Sequence, residues 1–250
     1  MTRILLSGCC GKMGRFVASA VAGRKDCEIV AGIDIVEDST LGFPVFSNYD
    51  EVQVKADVIV DFSNPSLLPA MLDYAVKTST GVVLATTGLT DEQIKTVEDA
   101  GKSVPVFFSY NMSIGVSLLC ELSKVAAKVL GNGFDVEIVE AHHNQKLDAP
   151  SGTAIMLGNA IKEEMPDAYF EYDRHSKREK RHTNEIGIHS VRGGTIVGEH
   201  EVIFAGNDEI VKLSHSARSR AIFANGAVNA AVFLKNKETG VYNMTDLVNE

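Results

Sequence analysis

Nowhere in its 250 residues does the chain hold an apolar run approaching the ~20 residues that cross a bilayer. The opening Met1-Thr2-Arg3-Ile4-Leu5-Leu6 breaks into Ser7-Gly8 too soon for a signal-peptide core, so a cytoplasmic protein is expected. Positive charge is in short supply as well. Against 33 Asp and Glu stand 24 Lys and Arg, and the net charge of −9 opposes nonspecific binding to nucleic acid. Neither a membrane nor a nucleic acid is an expected partner. Cysteine is scarce: Cys9, Cys10, Cys27 and Cys120 form no Cys-x-x-Cys pair, which suits neither a zinc module nor a disulfide framework. Reduced thiols are the expectation. Cys9 and Cys10 would be unusually reactive only if a helix N-terminus faced them and favoured the thiolate. Internal repeats and low-complexity segments are also missing.

What remains is ordinary globular usage, 45% hydrophobic and 23% charged, in a length that fits one large domain or two modest ones. The first third alternates short β-branched runs with helical periodicity, the grammar of a doubly wound α/β domain. Strands are expected over residues 3–7, 28–33, 57–62, 81–84 and 104–109, with a helix over 12–24. Thr90 and Gln93 fit a capping box that opens a second helix reaching about Ala100. After Gly115 the pattern changes to α+β. Helices are expected over 115–130 and 153–165, strands near 136–141, 186–191, 196–204 and 209–214, and an apolar helix over 221–234. Residues 167–182, rich in Arg and Lys, read as an exposed loop with a solvated surface.

Gly8-Cys9-Cys10-Gly11-Lys12-Met13-Gly14 follows one expected strand and opens one expected helix. In that context glycines let the backbone approach a pyrophosphate, which the helix N-terminus then stabilises. Asp34 ends the second strand about 20 residues after Gly14, where an acid accepts hydrogen bonds from the adenosine ribose. Ile35 occupies the usual place of a cation for a 2′-phosphate. NADH is therefore the expected cofactor, with NADPH left open because Lys12 and Arg15 stand nearby. Asp61-Phe62-Ser63-Asn64-Pro65, Ala85-Thr86-Thr87-Gly88 and Ser109-Tyr110-Asn111-Met112 fall at other strand ends, where ligands bind in open α/β sheets.

Glu140-Ala141-His142-His143-Asn144-Gln145-Lys146-Leu147-Asp148-Ala149-Pro150-Ser151-Gly152-Thr153-Ala154 concentrates the most chemistry. A histidine titrates near neutrality and can move a proton. Ser151 with the N–H groups of Gly152 and Thr153 forms an anion site at a helix N-terminus, and Lys146 adds a compensating charge. Zinc on His142 and His143 is disfavoured, since adjacent rings rarely converge and no further ligand stands at the right spacing. Ser151 lacks the context of a nucleophile elbow.

These segments, with Asn111-Met112-Ser113-Ile114-Gly115, Glu185-Ile186-Gly187-Ile188-His189, Arg192-Gly193-Gly194, Gly198-Glu199-His200 and the run from Ser219 to Gly226, closely resemble the 4-hydroxy-tetrahydrodipicolinate reductase (dihydrodipicolinate reductase) family of the lysine pathway. The resemblance covers essentially the whole chain. It implies a Rossmann-like dinucleotide-binding domain, residues 1–111 and 219–250, with an inserted α+β substrate-binding and oligomerisation domain, residues 112–218, in a homotetramer. It further implies that His142 and Lys146 handle the proton, that His143, Lys146, Ser151, Gly152 and Thr153 hold a small dicarboxylate, and that no metal takes part. Gly8, Cys9, Cys10, Gly11, Lys12, Met13 and Asp34 match the dinucleotide contacts. Ala85, Thr86, Thr87, Ser109, Tyr110, Asn111 and Met112 match loops near the nicotinamide. Three positions depart from the family pattern: Cys9-Cys10, Ala85, and Ile35 where many members carry Arg. The rival readings are a nonenzymatic NAD(H) sensor, which needs no proton donor, and an amino-acid dehydrogenase, which has no use for a dicarboxylate cradle.

Overall fold

Alternation explains the first sheet. In the computed structural model, which describes residues 1–36 and 38–250, the strand β1 (Thr2–Ser7) sends Ile4 and Leu6 to one face and Leu5 to the other. Both faces are covered, so every residue of the strand except Arg3 is buried. Parallel partners follow the same logic: β2 (Cys27–Ile33), β3 (Val45–Phe46), β4 (Val58–Asp61), β5 (Gly81–Leu84), β6 (Pro105–Phe108) and β12 (Gly240–Tyr242). Their order is β12-β6-β5-β4-β1-β2-β3. Chain direction of winding reverses between β1 and its two neighbours β2 and β4, which makes the end of β1 the switch point of the sheet.

On one face lie α1 (Lys12–Ala22) and α6 (Ala221–Leu234), whose Val17, Val21, Ala227 and Ala231 pack on Ile4, Leu6, Val60 and Phe107. The other face takes α2 (Leu68–Thr78) and α3 (Asp91–Gly101), with Met71, Leu72 and Val97 against Leu5, Ile59 and Val82. The capping box expected at Thr90 and Gln93 is present on α3. Helix α2 had no counterpart in the sequence reading. Its start signal is Pro69 in the first turn, and Leu68, Met71, Leu72 and Ala75 form the buried stripe. Strands β3 and β12 are too short, at two and three residues, to show a period of their own.

Residues 1–114 with 220–250 make one compact unit and residues 115–219 another; the sequence placed these junctions at 111/112 and 218/219. In the second unit, β7 (Asp135–His142), β8 (Tyr169–Glu171), β9 (Glu185–Arg192), β10 (Gly198–Ala205) and β11 (Ile210–Ala217) form a sheet in the order β11-β10-β7-β9-β8. Helices α4 (Ile114–Leu130) and α5 (Gly152–Glu164) cover one face of it, with Leu119, Leu157 and Ile161 on Ile138, Ile188 and Phe204. A short α7 (Met244–Val248) ends the chain against the first unit's core.

The basic stretch 167–182 is largely the exposed loop expected, with part of it tied into the sheet. It contains β8, and Arg174 donates to both oxygens of the fully buried Glu185 at 2.8 and 2.9 Å. Arg181 ties down Glu137 and Asp135 at 3.0 and 2.8 Å and also donates to the carbonyls of Val136 and Glu185. Arg174 serves the fold by neutralising a carboxylate that this sheet has taken out of water, and Arg181 by pinning two more-exposed carboxylates and two carbonyls to it. Among the described residues no helix is long and apolar enough to cross a membrane.

Candidate active site

Two groups of residues stand out, one in each unit. In the first unit, Gly8 follows β1 with φ +76°, and a Cβ there would lie 2.7 Å from the Phe62 carbonyl oxygen. Only glycine takes that turn without strain. Gly11 caps α1 without any side-chain hydrogen bond, so the helix presents an N-terminus that no side chain caps. Asp34 accepts the Cys10 N–H at 2.9 Å and the Val36 N–H at 3.3 Å, which fixes its carboxylate beside the glycine turn. These features fit a dinucleotide: a bare backbone approach, a positive helix end and an anchored ribose acceptor.

At the strand ends of the same unit lies a cavity of ≈ 340 Å³. Met13, the loops Ala85-Thr86-Thr87 and Ser109-Tyr110-Asn111-Met112, Phe62-Ser63 and Phe223 line it. The sequence reading did not assign Asp61 a role, yet it is the buried organiser here. Its carboxylate accepts the hydroxyls of Thr86 at 2.6 Å and Ser63 at 2.5 Å, so one side chain sets two loops. Its signal was the acid that ends an otherwise apolar strand, Val58-Ile59-Val60-Asp61.

Cys9 and Cys10 answer the reactivity question in the negative. Burial pushes the Cys9 thiol up to about 12, helped by the neighbouring Cys10, and desolvation raises Cys10 as well. Cys9 is a core residue, packed so tightly that a Cβ on Gly32 would meet its Sγ at 2.5 Å. The ligand atoms of Cys9, Cys10 and Asp34 lie within 4.8 Å of one another, but Cys9 is packed in the core and the Asp34 carboxylate is already engaged by the Cys10 and Val36 N–H groups. Arg15, a candidate cation for a 2′-phosphate, is paired with Asp38 at 2.6 Å, while Ile35 is 89% exposed.

In the second unit β7 alternates strictly, and Val136, Ile138, Glu140 and His142 all turn to the covered face. The apolar stripe thus runs directly into a carboxylate and an imidazole. Glu140 is fully buried, and its Oε2 lies 2.6 Å from Nδ1 of His142. Arg192 grips both oxygens, at 2.8 and 2.7 Å, and Ser151 N–H donates at 3.1 Å. Burial by itself would push the Glu140 carboxyl up, but hydrogen bonds from Arg192, Ser190 and His142 overcome it and hold the group at about 2. Register places Glu140 opposite Ser190 on β9 and His200 on β10, with His215 opposite His200 on β11. One row across four strands therefore carries polar side chains.

Ser151 caps α5: its Oγ accepts the Ala154 N–H at 3.2 Å and lies 2.9 Å from Nε2 of His200. It is buried, so its hydroxyl serves the frame of the site, while Gly152 and Thr153 form the first turn of the helix. Burial, with His142 adding to it, drives His200 down to about 4 and keeps it neutral. The loop between β7 and α5 is held by Gly193 N–H on the His142 carbonyl at 2.9 Å and Asn144 N–H on the Gly194 carbonyl at 3.2 Å. Lys146 pairs with Asp148 at 2.9 Å, and the lysine holds the Asp148 carboxyl below its usual range. Nδ1 of His143 is buried with no protein partner. His142, Lys146, Ser151, Gly152 and Thr153 thus share one loop and helix start, and Glu140, Arg192 and His200 complete the group that sequence reasoning left without roles.

Comparison with known proteins agrees over both units. A model of the dihydrodipicolinate reductase N-terminus matches residues 2–112, and one of the dihydrodipicolinate reductase C-terminus matches residues 115–248. The 4-hydroxy-tetrahydrodipicolinate reductase of Caldanaerobacter subterraneus subsp. tengcongensis is 51% identical over 249 residues, 99% of this chain and 98% of that protein. The Clostridium novyi protein of the same name is 48% identical, with the same coverage of both. Among solved structures, dipicolinate-bound dihydrodipicolinate reductase from Paenisporosarcina sp. TG-14 aligns with a TM-score of 0.81 at 28% identity, over 100% of this chain and 99% of that one. With a Rossmann-like sheet, a second mixed sheet and full-length kinship on both, the chain belongs to the 4-hydroxy-tetrahydrodipicolinate (dihydrodipicolinate) reductase family.

Proposed function

We propose that His142 and Lys146 supply the proton and the positive charge for this chain's reaction, the NAD(P)H-dependent reduction of 4-hydroxy-tetrahydrodipicolinate to tetrahydrodipicolinate. The observation that carries the reading is the placement of His142, held by a buried carboxylate, on the same loop as Lys146 and the Ser151-capped first turn of α5. In the balanced reaction water is eliminated across C3 and C4 to leave the conjugated imine, then C4 gains a hydride and C3 regains a proton. When bound, the reduced nicotinamide supplies that hydride. His142 moves the proton through Nε2, since Nδ1 is committed to Glu140. Lys146 and the helix N-terminus offset the two carboxylates of the substrate, and the same positive field draws electrons from the imine as hydride arrives. Dipicolinate, which the Paenisporosarcina reductase binds, belongs to the same dicarboxylate class. His143, the next residue on the same loop, supplies a further polar contact to a ring carboxylate.

NADH is the preferred cofactor in this reading, because the residue after Asp34 is apolar and Arg15 is already paired with Asp38. The cofactor contacts are Gly8 to Met13 and Asp34, with the Ala85-Thr87 and Ser109-Met112 loops beside the nicotinamide. A cytoplasmic homotetramer is the proposed form. It is supported by Val191 and Ile210, apolar and exposed on the sheet face of the second unit that its helices leave open. Native mass spectrometry reads the assembly.

The test is nicotinamide oxidation with substrate made in place from pyruvate and aspartate semialdehyde, NADH and NADPH side by side. His142→Asn and Lys146→Met should each lower kcat/KM by about 100-fold or more. Tight NADH binding with full turnover in both variants would assign the proton to other groups.

A further inference from the structure

We propose that Glu140, clamped by Arg192, is the positioning residue that fixes the tautomer of His142 and confines proton exchange to Nε2, with Gly198 keeping that nitrogen uncovered. The proposal rests on the reading of His142 as the proton carrier.

Besides Ser190, four donors converge on one carboxylate: Nη1 of Arg192 and Nδ1 of His142 on Oε2, at 2.8 and 2.6 Å, and Nη2 of Arg192 and the Ser151 N–H on Oε1, at 2.7 and 3.1 Å. An ionised carboxylate only accepts, so the hydrogen between it and His142 must sit on Nδ1. The carboxylate stays ionised across the working range because its hydrogen bonds hold it at about 2. A neutral His142 is then the Nδ1–H tautomer, with a bare lone pair on Nε2. When the ring is protonated, the added proton is on Nε2 and nowhere else. Without Glu140 either nitrogen could carry the hydrogen.

A second observation concerns the other side of the ring. No described residue donates to or accepts from Nε2. Gly198, first residue of β10, lies beside it, and a Cβ there would stand 3.1 Å from Nε2 and 3.4 Å from Cδ2. Any side chain at 198 would crowd the working nitrogen. A carboxylate on Nδ1 and no protein partner on Nε2 give the ring a single direction for proton transfer.

Glu140→Gln tests the idea, because the amide is nearly isosteric but can donate as well as accept. In protein with isotope-labelled histidine, nitrogen NMR should report the neutral His142 ring as Nδ1–H in the wild type and as a mixture or the Nε2–H form in Glu140→Gln. With substrate present, kcat should fall about 100- to 10,000-fold while KM stays within about threefold. Glu140→Asp, which keeps the charge, should retain the Nδ1–H form and recover part of kcat. Gly198→Ala is the variant that spares the buried carboxylate: it should keep the wild-type tautomer and still lose kcat about 10-fold or more. If Glu140→Gln fails to fold, Gly198→Ala and Glu140→Asp carry the test.

An unchanged Nδ1–H ring in Glu140→Gln would overturn the proposal. So would an altered tautomer with kcat within about threefold of wild type. If His142→Asn keeps wild-type turnover, the reading of His142 as proton carrier fails, and the catalytic half of the proposal with it. A changed tautomer in Glu140→Gln would in that case show that the positioning itself is correct, so the two failures are separable.

Discussion

The ring of His200 stands edge-on to that of His142, with centroids 5.2 Å apart and planes at 73°. Two imidazoles so close in a buried site cannot both be charged cheaply, and desolvation decides that His200 stays neutral. Glu140, His142, His215 and Lys146 are the charged or titratable groups that face it. Its value of about 4 lies below the ordinary 6.5, so folding favours the unprotonated ring. That contribution is fully present above pH 6.5 and is lost as pH falls toward 4. At full effect it corresponds to roughly 3 kcal/mol. Urea unfolding measured across this range should show falling stability, and His200→Gln should flatten the slope. Equal slopes in the two proteins would mean that another group governs the acid limb.

Ile35 is exposed beside the carboxylate expected to hold the adenosine ribose. Ile35→Arg places a guanidinium where a 2′-phosphate would lie, a charge-assisted contact of the stronger kind. The ratio of kcat/KM for NADPH over NADH should rise about tenfold. An unchanged ratio would locate the 2′ group elsewhere.

Gly226 on α6 carries the Met112 loop of the first unit. A Cβ at 226 would lie 1.6 Å from the Met112 carbonyl oxygen, so helix and loop touch backbone to side. Alanine is the better helix former by about 1 kcal/mol, but overpacking costs about 1–3 kcal/mol or more. Gly226→Ala should lower Tm by roughly 3–10 °C and raise KM for the dinucleotide. Thermal melts and NADH titration read the two effects separately.

Burial raises both vicinal thiols, and it sets their chemistry. Iodoacetamide at neutral pH should therefore alkylate Cys10 more slowly than free cysteine, and Cys9 only after unfolding. Peptide mass spectrometry of timed samples gives both rates. Faster labelling of Cys10 than of free cysteine would show that the N-terminus of α1 outweighs desolvation.

Local pattern was enough for much of this protein. A glycine turn between a strand and an amphipathic helix, a capping box at Thr90 and Gln93, and the run from Glu140 to Ala154 are properties of neighbouring residues, because turns, caps and periodicity act over a few positions. The charge balance and the apolar Ile35 are equally visible in one dimension. The buried frame of the site was not. Glu140 read as one more residue of a polar segment, His200 as part of a later motif and Arg192 as the lead of a glycine turn. Strand register brings them together: Glu140 faces His200 across one ladder and His142 faces Arg192 across the other, from 50 or more positions away in the chain. Residues 167–182 make the same point, since only the sheet shows that Arg174 neutralises the buried Glu185. Sequence determined most of the elements, though not α2 or the short β3 and β12, and where the reactive side chains begin. Tertiary structure decided which of them are desolvated and which partner each one meets, because burial and pairing depend on neighbours that the chain supplies only after it folds.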